Sequence, residues 1–201
     1  MEYWTPKRRR CLTLRKRVSM KIHQTELEVV RASALDVTAD AIVNAANTGM
    51  RGGGGIDGAI HYRAGRALKD ELEQIAPDGA QTAEVVVTSG HALPHRFIFH
   101  VAGPVWSARR ETECEKLLAL AYEHVLEEAD ARQLATLVIP SISTGVYAFP
   151  LDRAASIALD TAARFLHSHP QTSLRRVTFA MWGGEEHHVF RRALEAMGRA
   201  A

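Results

Sequence analysis

Cysteine is nearly absent. The chain has two, Cys11 and Cys114, in 201 residues. Two thiols build neither a disulfide framework nor, by themselves, a cysteine zinc site. Such sparse usage suits a reducing, cytoplasmic compartment. Long apolar runs are missing too. The longest uncharged stretch, Gln133 to Leu151, contains Pro140, Pro150, Ser141, Ser143 and Thr144, which argues against a membrane span. No apolar segment follows the basic N-terminal residues, so no secretory signal is expected. Internal repeats and low-complexity segments are also lacking. What remains is an ordinary globular balance, 46% hydrophobic and 24% charged, at a length that suits one domain.

Net charge is small, +2 with histidine neutral, but it is unevenly held. Residues 1–20 contain Lys7, Arg8, Arg9, Arg10, Arg15, Lys16 and Arg17 against Glu2 alone, leaving 18 basic and 22 acidic residues for the rest. Nucleic acid is therefore an expected partner only through this tail, which otherwise reads as a solvated arm. Ordered patterning starts just after Met20. The expected division is a basic extension over 1–20 and a folded domain over 21–201.

Within that domain, short apolar runs alternate with helical periods. Leu27–Val30, Asp40–Asn44, Glu84–Ser89, Phe97–Val101, Thr136–Ile139 and Arg176–Trp182 read as strands. Helices are predicted over residues 56–75, 112–130, 151–166 and 185–197. The alternation argues for an α/β domain, its central sheet largely parallel and covered by helices on both faces. Ligands of such sheets bind beyond the carboxyl ends of the strands. The loops after Asn44, Ile139 and Trp182 are the informative ones.

The first of these carries Gly52-Gly53-Gly54-Gly55 directly ahead of a helix. Four glycines cost backbone entropy, and bare backbone N–H groups at a helix start can receive an anion. A flexible turn is the plainer alternative. A Walker loop is excluded because Ile56-Asp57 stands where Lys and Ser or Thr are required, and the spacing of a dinucleotide fingerprint is absent. Asp57 and His61 stand four apart on one helix face, where they can position and deprotonate a water. Alone, they read equally as a helix-start carboxylate and a surface imidazole. The loop Ser141-Ile142-Ser143-Thr144-Gly145-Val146-Tyr147-Ala148-Phe149 offers further donors to phosphate, with Tyr147 and Phe149 available to pack on a sugar; it is also a common strand-to-helix turn. His100, inside a strand, reads as a packed core residue. His187 and His188 are adjacent and make a poor metal pair. No cluster has zinc spacing, and neither metal nor cofactor is expected.

Asp40-Ala41-Ile42-Val43-Asn44-Ala45-Ala46-Asn47, then GGGGIDGAIH over 52–61 and Ala64-Gly65, resemble the macrodomain family, and most of all its MacroD-type ADP-ribose hydrolases. Residues 92–106 and IPSISTGVYAFP over 139–150 are similar to later segments of that branch. The resemblance spans about residues 25–197. It implies a three-layer α/β/α fold with a mixed sheet of six or seven strands, and a cleft for ADP-ribose with the diphosphate between the two loops. Carried over by position, Asn47 touches the distal ribose, Asp57 orients or activates the water, and His61 supports both. Ser33, Ala34, Gly53, Gly54, Gly55, Ile56, Ser141, Ser143, Thr144, Gly145, Val146, Tyr147 and Trp182 are the implied binding residues. The implied activity cleaves esters at the distal ribose without a metal: removal of mono-ADP-ribose from acidic side chains of proteins, or deacetylation of O-acetyl-ADP-ribose. The base is Asp57 or a substrate phosphate. A non-catalytic ADP-ribose reader is the alternative. No membrane partner is implied.

Two positions depart from the pattern. The family usually has Gly-Asp-Ile-Thr ahead of its DAIVNAAN-like run, the Asp recognising the adenine amino group. Here Ala32-Ser33-Ala34-Leu35 stands in that register, so Ser33 replaces the carboxylate, and Asp36 compensates only if the loop is rearranged. Trp182 stands where the family often has Tyr or Phe. It either stacks on adenine or packs in the core.

Overall fold

A computed structural model describes residues 17–200. Expectations for residues 1–16 lie outside the described residues. Seven strands form one sheet: β1 (Val18–Ile22), β2 (Thr25–Arg31), β3 (Ala41–Ala46), β4 (Val85–Ser89), β5 (Phe97–Ala102), β6 (Thr136–Ile139) and β7 (Arg176–Met181). Their spatial order is β1-β2-β7-β6-β3-β5-β4. The five inner strands are parallel, and β1 and β4 close the two edges antiparallel. The sheet is therefore mixed, with the upper of the two expected strand counts.

Five helices cover it: α1 (Gly55–Ala64), α2 (Arg66–Ile75), α3 (Glu111–Ala131), α4 (Leu151–Ser168) and α5 (Gly184–Ala200). One helix was expected over 56–75. The chain instead makes two, because Gly65 takes φ +86 and its N–H bonds the His61 carbonyl, ending α1. The strand expected at Leu27–Val30 is β2, and an unexpected strand precedes it: Val18, Ser19 and Met20 of β1 pair with Val29, Glu28 and Leu27. The sheet thus takes in three residues that the sequence reading assigned to the extension.

Strand alternation sorts the core into two layers. Ala41 and Val43 of β3 face a large cluster with α3, α4 and α5. Ile42 and Ala46 face a smaller one with α1 and α2. Asn44 shares the parity of Ile42 and Ala46, which sets it under α1. His100 follows by the same count on β5, where Ile98 joins the α1 layer and Phe99 and Val101 the other.

The placement of the helices also opens the site. β3 and β6 are neighbours, Ala41 lying beside Leu137. The chain leaves β3 toward the α1 face and leaves β6 toward the α4 face. Two adjacent parallel strands whose connections diverge leave a crevice at their carboxyl ends, with the glycine loop on one side and the Ser/Thr loop on the other.

Candidate active site

At the floor of the crevice lies Asp57, 4% exposed on the first turn of α1. A buried carboxylate must be hydrogen-bonded or neutralised. Asn44, directly below on β3, donates Nδ2–H to Asp57 Oδ1 at 2.8 Å. Its second amide proton goes to His100 Nδ1 at 3.0 Å. A carboxylate only accepts, so Asp57 fixes the Asn44 amide orientation, and Asn44 in turn fixes the His100 tautomer. His100 then carries its proton on Nε2 and donates it to Thr88 Oγ1 at 2.9 Å. His100 is fully buried. Burial first, and then the electrostatic effect of the nearby His61 ring, push its pKa down to about 3. The ring stays neutral and able to accept. The result is a polar chain from Thr88 through His100 and Asn44 to Asp57.

His61, one turn along α1, brings Nε2 to 3.3 Å from Asp57 Oδ1. That nitrogen is buried and makes no hydrogen bond. Asn47, just past β3, donates to the Gly52 carbonyl at 3.0 Å and lies 3.5 Å from Asp57 Oδ2. Its own Oδ1 accepts from the Gly49 N–H at 3.0 Å. The structure therefore brings Asn47, Asp57 and His61 into one cluster.

The glycine run divides into two functions. A Cβ on Gly53 would stand 3.1 Å from Asp57 Oδ2 and 3.3 Å from Asn47 Nδ2, so the bare backbone lets the loop cross the carboxylate. A Cβ on Gly58 would meet the Gly53 carbonyl oxygen at 2.5 Å, so α1 closes on its own loop only through that glycine. Gly54 and Gly55, by contrast, face open space, and Ile56 follows half-buried.

Across the crevice, the second loop is braced on three sides. Tyr122 Oη on α3 accepts the Ile142 N–H at 2.9 Å, and burial pushes that phenol's pKa up. The Trp106 N–H donates to the Tyr147 carbonyl at 2.9 Å, and the Trp106 ring packs on Phe149 at 4.7 Å. Thr144 Oγ1 lies 2.7 Å from Ser141 Oγ and 3.3 Å from Glu186 Oε1 on α5. Ser143 takes φ +66, and its buried Oγ has no hydrogen-bond partner. Gly145 and Val146 are exposed, Val146 almost completely, and Tyr147 is half-buried. Phe149 is 2% exposed, so the suggestion that it packs on a sugar is corrected: its ring belongs to the core.

At the far end, Ala32 N–H bonds the Met181 carbonyl at 3.1 Å, joining the segments after β2 and β7. Ser33 is half-buried ahead of the single 3-10 turn Ala34–Asp36. The Ala34 methyl is buried in the core, leaving only its backbone for a ligand. Asp36 is held in an ion pair with Arg63 of α1 at 3.2 Å. Trp182 is 77% exposed, which excludes core packing. Among the described residues, no three His, Cys, Asp or Glu side chains converge as a metal group, and no helix is long and apolar enough to cross a membrane.

A family model described as Macro domain matches residues 43–158, which takes in both loops and the cluster around Asp57. The chain belongs to the Macro domain family. A macro domain-containing protein of Cupriavidus necator is 41% identical over 170 residues, covering 84% of this chain and 96% of that protein. One from Caldanaerobacter subterraneus is 36% identical over 176 residues, covering 87% and 98%. Among solved structures, the Oceanobacillus iheyensis macrodomain with ADP superposes with a TM-score of 0.86 at 34% identity, covering 92% of this chain and 98% of that one. The Trypanosoma brucei macrodomain in complex with ADP-ribose gives 0.77 at 36% identity, covering 84% and 68%.

The macro domain site has members that sequence reading missed. Asn44 was passed over as part of a strand, His100 was read as core packing alone, and Thr88 was not singled out. Each is a buried polar residue in a strand of mostly apolar residues, on the same face by the count of two. That parity is the signal that finds them.

Proposed function

We propose that this macro domain binds ADP-ribose in the crevice and hydrolyses an ester at its distal ribose, as a MacroD-type enzyme. The observation that carries this reading is the buried Asp57 carboxylate. Its Oδ1 is held from below by Asn44, while Oδ2 lies beside Asn47 and the Gly53 backbone. Such a carboxylate has its orientation fixed before substrate arrives. The Oceanobacillus iheyensis macrodomain with ADP and the Trypanosoma brucei macrodomain in complex with ADP-ribose support the binding half of this reading. Ser143 Oγ and His61 Nε2 are buried and make no hydrogen bond, which leaves polar atoms with spare capacity at both sides of the crevice.

In this reading Gly54, Gly55 and Ile56, with Ser141, Ser143, Thr144, Gly145, Val146 and Tyr147, enclose the diphosphate through backbone and hydroxyl donors. Ser33, the Ala34 backbone and Trp182 take the adenosine end. Asn47 and His61 hold the distal ribose. A water oriented by Asp57 attacks the acyl carbon, the bond from that carbon to the ribose oxygen breaks, and the ribose oxygen takes the proton. The products are ADP-ribose and a free carboxylic acid. Asp57 or a substrate phosphate takes that proton from the water and returns it to the leaving ribose oxygen. Binding energy from the remote diphosphate fixes the ester against the water. No step uses a metal or cofactor. The substrates are mono-ADP-ribosylated Asp or Glu side chains of proteins, or O-acetyl-ADP-ribose, met in the cytoplasm.

Calorimetry with ADP-ribose, paired with turnover on both ester classes, tests the reading. Binding with release of free ADP-ribose is expected. Binding without turnover on either ester makes the domain a reader of ADP-ribose, and no binding removes both assignments.

A further inference from the structure

A cavity of about 390 Å³ opens beside the carboxyl end of β2, against α5. Its walls carry Arg17 just ahead of β1, Arg31 at the last position of β2, and His187, His188 and Arg191 of α5, and no carboxylate lines it. Arg17 is paired with Glu26 and Glu28, and Arg191 with Glu195 at 2.6 Å. The Arg31 and His188 side chains have no ion pair or hydrogen bond among the described residues. The Arg31 guanidinium lies over Gly184, 3.4 to 4.0 Å from where a Cβ would stand. In a body that is mildly acidic outside its tail, this gathering of basic groups from three segments is local. Arg31 is the guanidinium of this cavity with no carboxylate beside it among the described residues, and an anion placed there supplies the missing countercharge.

Its position gives the anion a source. Arg31 pairs in register with Met181, next to Trp182, and stands two residues before Ser33. Gly184 stands two residues after Trp182. The cavity therefore adjoins both segments given the adenosine end of the ligand. We propose that it is a phosphate subsite for a second phosphate group carried on the adenosine ribose, beyond the diphosphate between the loops. The proposal rests on the ADP-ribose reading of the crevice. Arg31 supplies the planar pair of N–H donors that suits phosphate oxygens, beside the ion-paired Arg17 and Arg191 that line the same cavity. A phosphate monoester on that ribose and the pyrophosphate of a further nucleotide unit joined there share this chemistry.

The experiment is calorimetry on the full chain with ADP-ribose and with its 2′-phosphate, at low and at physiological salt. The 2′-phosphate is expected to bind about tenfold tighter at low salt, with the ratio shrinking as salt rises. The ratio closes toward one in Arg31→Ala and inverts in Arg31→Glu. Arg31 is exposed, so both variants are expected to melt as the parent does. A two-unit oligomer joined through the same ribose separates the sources: a gain confined to the monoester assigns the subsite to that group, and a gain confined to the oligomer assigns it to the longer chain. Equal affinity for all three ligands, or a gain that survives Arg31→Glu, overturns the subsite while leaving the crevice reading in place. Failure of ADP-ribose itself to bind overturns both.

Discussion

The two ends of the crevice are built in opposite ways. Around Asp57 the polar groups are buried and locked to one another through Asn44, His100 and Thr88. At the other end Trp182 is exposed, Ser33 is half-buried with no carboxylate in its place, and the exposed Asp36 is tied to Arg63. The contrast teaches where each requirement lies. On the proposed reading, chemistry at Asp57 needs one geometry within a fraction of an ångström, and the sheet supplies it. Recognition of a flat base, assigned by that reading to the Trp182 end, tolerates movement and can rest on surface rings.

Removing the Asp57 carboxylate breaks the comparison hardest. Asp57→Ala is expected to lower ester turnover on the order of 10²–10⁴-fold. Its ADP-ribose affinity should change by less than about tenfold, the scale of one hydrogen bond. Equal losses measured in single-turnover assays and calorimetry contradict the role given to Asp57.

Acid acts on the same end. The unfolded chain protonates His100 below about 6.5, whereas the folded chain keeps it neutral down to about 3. The unfolded state therefore binds the extra proton. This residue's contribution to stability is complete above about 6.5 and is lost as pH falls toward 3. Its share of the slope approaches 1.36 kcal/mol per pH unit, so about that much should separate the acid limb of the parent from that of His100→Gln in denaturant titrations. Burial lowers the pKa of His95 as well, which adds to the limb in both proteins. Coincident limbs rule out the buried neutral ring.

Gly58→Ala tests the loop between the ends. The new methyl faces backbone rather than a yielding side chain, and a loss of about 1–3 kcal/mol in thermal or denaturant stability is expected. An unchanged midpoint means that the loop gives way freely. The adenosine end should respond least. Trp182→Ala is expected to weaken ADP-ribose by roughly 3- to 10-fold, about 0.5–1.5 kcal/mol, with kcat unmoved. Ser33→Asp should tighten it by a similar or smaller factor; calorimetry showing no response in either variant would place the base elsewhere.

Much of this was legible in the chain. Short apolar and β-branched runs marked six of the seven strands, β2 to β7, and the glycine and Ser/Thr loops stood where the crevice opens. Their legibility is physical: local period and turn chemistry are properties of neighbours in sequence. The losses were of two other kinds. Gly65 sits within an apparently continuous helical pattern, and only its positive φ divides α1 from α2. The Asn44–His100 pair joins residues 56 apart, through a register that no local window contains. β1 escaped because its alternation runs into a basic stretch, where charge masked the period.

The three braces on the second loop bear on how a ligand is received. Tyr122, Trp106 and Glu186 reach it from α3, from the segment after β5 and from α5. A loop held that way has surrendered its conformational freedom during folding. On the proposed reading, an incoming diphosphate gives up chiefly its own tumbling and hydration, so binding should proceed as docking into a finished mould, with little protein ordering in its entropy.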